Sequence, residues 1–221
     1  LLKYNFDNNQ WNTIYFVTNG IDSLLNMQVE YSNPDIMLIS RKNVGTNLLH
    51  RSINGGIDWE PINTREGVSE ECNYFTEIDP QDPSKIYFGG SHHNTDYDTY
   101  RFEISDDYGD TWNGLNITEE NTVGCLEIDP NNSDNLYIGL SNLCNCDVFE
   151  EYCPEYGIYK SNDSGNSWTN FNDGLTNIDE VYSLTVDPFH SNRVFAGTRT
   201  GLKISEDYGE TWENVNLNLD I

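Results

Sequence analysis

Ser-Asp-Asp-Tyr-Gly-Asp-Thr-Trp, residues 105–112, is the stretch of sequence that decides the fold, because it returns twice more along the chain. Ser-Asn-Asp-Ser-Gly-Asn-Ser-Trp occupies residues 161–168, and Ser-Glu-Asp-Tyr-Gly-Glu-Thr-Trp occupies residues 205–212. Residues 52–59 keep the Ser, Gly and Trp but carry Asn in place of Asp, and residues 5–11 form a version one residue shorter. We call this pattern the box. It accounts for all 5 tryptophans and predicts a repeat architecture.

The sequence around the boxes repeats as well. An Asn-Pro or Asp-Pro pair precedes a short apolar run in each repeat. The pairs lie at 33–34, 79–80, 129–130 and 187–188, and the runs at 36–39, 86–88, 136–138 and 194–196. Each repeat is therefore predicted to form four short strands: A before the proline turn, B on the apolar run, C leading into the box, and D beginning at the box Trp. Such short strands between Gly, Asn, Asp and Pro turns indicate an all-β fold.

Elementary chemistry gives the box positions structural roles. A short Asx side chain accepts backbone N–H groups of a tight turn between strands C and D, Gly supplies the positive φ, and the Trp ring buries a large apolar area. The residues predicted to act in this way are Ser105, Asp107, Gly109, Trp112, Ser161, Asp163, Gly165, Trp168, Ser205, Asp207, Gly209, Trp212, Asn54, Gly56, Trp59 and Trp11. A catalytic or metal-binding role for the box Asp residues is disfavoured, because one copy has only Asn54 there.

These boxes and their flanks resemble the BNR or Asp-box repeat family. Over nearly the whole chain they are similar to the β-propellers of xyloglucanase-type glycoside hydrolases, sortilin-type receptors and photosystem II assembly factors. The resemblance implies a β-propeller built of four-stranded antiparallel blades with an Asp-box C–D hairpin in each. It does not choose a function, because the relatives include hydrolases, receptors and assembly factors.

The phase of the repeat divides the chain into segments. Residues 1–19 are predicted to form strands C and D of an incomplete blade, followed by blade one (20–66), blade two (67–117), blade three (118–174) and blade four (175–221). Because propellers close by completing every blade, we expect part of a larger ring, completed by further chain or by another molecule. A four-bladed ring with an additional hairpin is the alternative.

Charge limits the classes of partner. The chain has 37 acidic and 11 basic residues, a formal net charge of −26. This charge disfavours nucleic acid and anionic membranes and would attract Ca²⁺ or a basic partner, although a solvated surface kept soluble in a salty or extracellular medium is the favoured explanation. No run approaches 18 apolar residues, so membrane insertion is not expected. We expect a secreted or cell-surface protein, with any targeting segment outside residues 1–221.

Three of the five cysteines are close together. Cys144, Cys146 and Cys153 indicate a loop closed by a disulfide from Cys153 to one of the other two. Three thiolates on a metal ion are the alternative, disfavoured because zinc sites usually use CxxC spacing and a fourth ligand.

Two insertions make the best candidate site in the sequence. Both lie between strands B and C, on the face opposite the boxes, where propeller loops vary in length. Blade two inserts residues 91–99 and blade three residues 142–156. The candidate ligand-binding residues are His92, His93, Tyr97, Tyr100, Tyr152 and Tyr156, and the candidate Ca²⁺ ligands are Asp96, Asp98, Asp147, Glu150 and Glu151. Consecutive strand residues point to opposite sides, so His92 and His93 are not expected to share one ion. Ordinary solvated loops are the alternative.

No catalytic residue is assigned from the sequence. The chain lacks an Arg-Ile-Pro segment, which disfavours a sialidase-like site, and with 37 acidic residues a carboxylate pair can always be found, so such a pair has no diagnostic value. We expect a secreted, non-catalytic propeller segment that binds a glycan or a protein. The first alternative is a fragment of an extracellular glycoside hydrolase, and the second is a self-assembling structural protein.

Overall fold

The computed structural model describes residues 2–5, 10–13, 23–43, 45–68, 74–93, 98–115, 117, 123–140, 157–176 and 180–215. These residues form strands and turns, and no helix capable of crossing a membrane is found among them. The predicted fold class is confirmed: the chain is all-β, with four-stranded antiparallel sheets of the kind that form propeller blades. The chain divides into two compact units, Leu1–Glu70 and Glu71–Ile221.

The first unit contains a hairpin and one blade. The hairpin consists of β1 (Leu2–Asn5) and β2 (Gln10–Thr13), and places Tyr4 opposite Trp11. Blade one consists of β3 (Ser23–Val29), β4 (Met37–Asn43), β5 (Gly45–Ser52) and β6 (Glu60–Val68). Strand β6 continues to Val68, past the boundary predicted at residue 66.

The second unit contains blades two, three and four. Blade two consists of β7 (Tyr74–Ile78), β8 (Ile86–His93), β9 (Asp98–Ser105) and β10 (Asn113–Leu115). Blade three consists of β11 (Val123–Ile128), β12 (Leu136–Leu140), β13 (Gly157–Ser161) and β14 (Thr169–Asn170). Blade four consists of β15 (Val181–Val186), β16 (Val194–Thr198), β17 (Gly201–Ser205) and β18 (Glu213–Asn214).

Neighbouring strands along the chain pair within every blade, so each sheet is an antiparallel meander. In the second unit, β11 packs against both β7 and β15, which makes the first strand of each blade the inner one. Apolar residues fill the spaces between blades: one cluster joins blades two and three around Phe102 and Leu126, and the next joins blades three and four around Tyr137 and Leu184. Burial of these faces stabilises blade stacking.

Two details of the predicted repeat were wrong. Strand D begins one residue after the box Trp in each blade, as at Asn113 after Trp112, because the Trp backbone still belongs to the turn. The Asn33-Pro34 pair of blade one is equivalent to Asp82-Pro83 rather than to Asp79-Pro80, since Ile36 N–H donates to Asn33 O as Lys85 N–H donates to Asp82 O. The acid equivalent to Asp79 in blade one is therefore Glu30.

Hydrogen bonds repeat at the junctions between blades of the second unit. The Ser133 hydroxyl of blade three donates to Asp79 of blade two, and the Ser191 hydroxyl of blade four donates to Asp129 of blade three at 2.8 Å. Amide side chains add a second bond at each junction: Gln81 Nε2 lies 3.4 Å from Pro130 O, and Asn131 Nδ2 lies 3.0 Å from Pro188 O. The same turn positions thus connect successive blades in one direction.

A buried cation also crosses the junction of blades three and four. Lys160 Nζ donates to Tyr208 O at 3.0 Å and lies 5.4 Å from the centroids of the Tyr137 and Tyr208 rings. The Tyr137 hydroxyl donates to the same carbonyl at 3.1 Å. Burial lowers the pKa of Lys160, and nearby carboxylates oppose that effect. Cation–π and hydrogen-bond contacts therefore hold the blade-four box against blade three.

Candidate functional site

The box turns use their polar side chains within the turn. Gly109 N–H donates to Ser105 Oγ at 2.7 Å, and Ser105 Oγ donates to Asp107 Oδ1 at 2.8 Å. Thr111 donates to both Asp107 oxygens, through its N–H at 2.7 Å and its hydroxyl at 2.6 Å. The same bonds recur in the boxes at 161–168 and 205–212.

These bonds hold the box carboxylates in their ionised form. The Thr111 hydroxyl and N–H, with Ser105, lower the pKa of Asp107 to about 2. Bonds from Ser167 lower the pKa of Asp163 in the same way. In the blade-one box, Asn54 Oδ1 takes over the acceptor role towards Asp58 N–H at 2.9 Å. The contacts of these side chains are therefore those of a turn.

Asp107→Ala is expected to lower the melting temperature at neutral pH, and Asp107→Asn to lower it less, because Asn54 shows that an amide oxygen serves in this turn. The pKa of Asp107 is depressed in the folded state. The contribution of its carboxylate to stability is therefore present above the unfolded pKa and is lost as pH falls through about 2. The difference between Asp107→Ala and the parent should shrink at pH 2. Thermal melts at both pH values measure this, with the exposed neighbour in Asp106→Ala as control; equal losses for all three variants would contradict it.

A pair of acidic side chains lies on neighbouring inner strands. Glu77 of β7 and Glu127 of β11 occupy equivalent places in a repeated Glu-Ile-Asp-Pro sequence, at 77–80 and 127–130. Burial, and then the charge of Glu127, raise the pKa of Glu77 to about 8. Burial also raises the pKa of Glu127, although Val186 N–H donates to its Oε1 at 2.9 Å and the Thr185 hydroxyl lies 3.3 Å from the same oxygen.

This pair can do two things chemically. Glu77 keeps its proton near neutral pH and can donate it, while Glu127 accepts hydrogen bonds from blade four across the junction. Sequence reasoning missed the pair because it searched the loops for acids. The signal was present in the repeated Glu-Ile-Asp-Pro, which places a carboxyl group in an otherwise apolar inner strand at the same phase of two blades.

The blade-two hairpin contains four of the residues selected from the sequence. The blade-four hairpin ends at the strand pair Thr198↔Gly201. The blade-two hairpin is longer by three pairs, which are Ser91↔Tyr100, His92↔Thr99 and His93↔Asp98. His92, His93, Asp98 and Tyr100 thus lie on one extended hairpin, with His93 directly opposite Asp98. Outside the described residues lie Asp96, Tyr97, Asp147, Glu150, Glu151, Tyr152, Tyr156, Cys144, Cys146 and Cys153.

A metal site is not formed by the part of the chain that the structure describes, where no group of three His, Cys, Asp or Glu side chains is arranged to hold an ion. Four of the five candidate Ca²⁺ ligands lie outside that part, so calcium binding at the two insertions stays a prediction. Among the described residues the one free cysteine is Cys125, whose pKa is raised to about 12 by burial.

Comparison with known proteins supports the fold and indicates a class of relative. No protein-family model matches the chain. It is 25% identical over 173 residues to a probable oligoxyloglucan-reducing end-specific xyloglucanase of Neosartorya fischeri, and 26% identical over 174 residues to such an enzyme of Emericella nidulans. Each alignment covers 71% of this chain and 20% of the relative, so the chain spans about a fifth of the length of these curated relatives.

A solved structure resembles the chain over a greater share of its length. The crystal structure of an ancestral GH74 enzyme matches 89% of this chain and 24% of its own, with a TM-score of 0.65 and 17% identity. At that identity the likeness shows the fold, which is that of a β-propeller. The expected similarity to xyloglucanase-type propellers is thus supported, whereas the assignment of the boxes to the BNR family stays a prediction.

Proposed function

We propose that this chain is a secreted, non-catalytic propeller segment that binds a xyloglucan-type polysaccharide at the B–C loops of blades two and three. The observation that carries the proposal is the extended blade-two hairpin, which brings His93 opposite Asp98 and includes Tyr100. Tyrosine rings pack against sugar rings, and His and Asp are hydrogen-bond partners for sugar hydroxyl groups. The xyloglucanase relatives make this class of ligand the first to test.

The non-catalytic part of the proposal rests on the acids whose contacts are described. The box carboxylates accept hydrogen bonds from their own turns. Glu127 accepts a hydrogen bond from the backbone of blade four. These contacts fit structural roles. The hydrolase alternative is favoured by the position of Glu77, whose pKa is raised to about 8, beside Glu127, because glycoside hydrolysis uses one carboxylic acid and one carboxylate.

Xyloglucan oligosaccharides test both possibilities. We expect the chain to bind them in calorimetry without releasing new reducing ends, and Tyr100→Ala to weaken binding by roughly tenfold through loss of ring contact. Thr200→Ala, in the short equivalent loop of blade four, is the matched control and should bind as the parent does. Unchanged binding by Tyr100→Ala would contradict the proposed site, and reducing-end release that is lost in Glu77→Gln would establish the hydrolase alternative.

A further inference from the structure

The two junctions of the second unit define what one blade presents to the next. We call the side of a blade that meets its successor the forward face. In blade two this face contains Tyr87, Phe102 and Ile104, and all three are buried in the cluster shared with blade three. In blade three it contains Tyr137 and Ile158, which have no exposed surface. A forward face is thus an apolar surface that the following blade covers.

Blade four has the same surface, and its described residues are less buried there than their equivalents in blades two and three. By strand register, Phe195 and Ile204 are equivalent to Tyr137 and Lys160, and Leu202 is equivalent to Ile158. Phe195, Leu202 and Ile204 are only partly buried, unlike their equivalents. On inner strand β15, Thr185 is exposed, whereas its equivalent Glu127 contacts blade four. Burial of these side chains by another element would stabilise the blade.

The polar edge of the forward face shows the same difference. Asp79 and Asp129 are each 1% exposed, and each accepts a hydrogen bond from the serine hydroxyl of the following blade. Their equivalent, Asp187, has a side chain that is 17% exposed, and its contacts are with its own blade: Phe189 N–H at 2.9 Å and Arg193 Nη1 at 3.6 Å. Phe189 is 87% exposed at the position where Gln81 and Asn131 bond the next blade.

We infer that the forward face of blade four is a docking surface for another four-stranded blade of this repeat, one with Ser or Thr in its A–B turn. Blade four continues the two junctions described above, since it repeats their apolar positions and their acceptor carboxylate. The inference goes beyond the proposed glycan ligand and does not depend on it.

The residue that donates the hydroxyl in the A–B turn also distinguishes between the blades that could dock on blade four. Asp79 accepts its hydrogen bond from the hydroxyl of Ser133 in blade three, and Asp129 accepts its own from the hydroxyl of Ser191 in blade four. The equivalent residues of blades one and two are Pro34 and Pro83, which have no hydroxyl group. If a second copy of this chain docked through its blade one, Asp187 would receive no side-chain donor. A blade with the serine completes the contact, so we commit to that occupant.

The test appends a donor blade to the intact chain. A copy of residues 118–174, which contains Ser133, is fused after residue 221, and a matched fusion has Ser133→Ala in the added copy only. We expect the first fusion to raise the melting temperature by about 3–6 °C, as 1–2 kcal/mol does in a domain of this size. We also expect it to bind less of a dye that reports exposed apolar surface, and the added blade to resist protease.

The second measurement ties the effect to the predicted contact. The rise in melting temperature should be smaller with Ser133→Ala in the added copy, and Asp187→Ala should remove the difference between the two fusions, as a double-mutant cycle requires for a direct contact. An unchanged melting temperature with rapid digestion of the added blade would overturn the inference. So would dimerisation of the parent chain that Leu202→Asp abolishes, because a second copy would then be the occupant.

Discussion

Gly174→Ala is expected to lower the free energy of unfolding by roughly 2–5 kcal/mol, because backbone strain and overpacking act together at this residue. Gly174 has φ +89°, and a Cβ atom there would lie 1.9 Å from the carbonyl oxygen of Trp212. Trp212 N–H donates to Asp173 O at 2.9 Å, so the clash falls on the backbone contact that joins the end of blade three to the box of blade four.

Two matched variants separate the causes. Gly201 has φ +129° with nothing within 4 Å of its Cβ position, so Gly201→Ala reports strain alone; Gly114 has open space and no positive φ, so Gly114→Ala reports neither. Urea unfolding followed by tryptophan fluorescence gives the three free energies. The largest loss is expected for Gly174→Ala, followed by Gly201→Ala and then Gly114→Ala. A loss in Gly174→Ala no greater than that in Gly201→Ala would contradict the predicted clash.

The second large effect depends on pH. Glu77→Gln is expected to raise the free energy of unfolding at pH 9 by roughly 2–4 kcal/mol relative to the parent, because it removes the cost of ionising a buried acid. The pKa of Glu77 in the folded state, about 8, is raised above its ordinary value of 4.5. The favourable contribution of the protonated group is therefore complete below about 4.5 and is lost as pH rises through about 8. At pH 4 the parent and Glu77→Gln should differ little.

Controls for this prediction use other carboxylates. Glu206→Gln, whose side chain is 68% exposed, should change stability little at either pH. Glu127→Gln keeps an oxygen to accept the Val186 N–H and removes a charge that raises the pKa of Glu77, so the loss of stability should be smaller and complete at a lower pH. Urea unfolding of the variants between pH 4 and pH 9 measures these effects. A pH-independent difference between Glu77→Gln and the parent would refute the assigned pKa.

The fold could be predicted from the sequence because the box is local. Ser105, Asp107 and Gly109 lie within five residues, and the bonds they make are internal to one turn. Each box therefore marks one hairpin, and the number and order of the hairpins define the sheets. The start of strand D was misplaced by one residue because hydrophobicity marks where Trp112 packs, not where strand pairing begins.

The blade junctions could not be predicted in the same way. The Ser133–Asp79 and Ser191–Asp129 bonds join residues more than fifty positions apart, and the sequence gives no reason to choose these pairs before the blades are stacked. The acid pair also depends on how the blades stack: burial, and then the charge of Glu127 on the neighbouring strand β11, raise the pKa of Glu77. Loop length predicted where the candidate site lies, but not how its residues are arranged. The structure shows that His93 and Asp98 lie opposite each other on the two strands of one hairpin.

Lys160 gives the molecule an internal reporter of how its blades separate. Its amine is covered by Tyr208 of the next blade, whereas the amine of Lys203, 2% exposed, bonds Asn214 of its own blade. Acylating reagents modify an amine when it is uncovered and unprotonated. Acylation of Lys160 should therefore follow separation of blades three and four, and acylation of Lys203 the opening of blade four itself. Comparing the two rates by mass spectrometry would distinguish loss of stacking from loss of the sheet, which a melting curve combines.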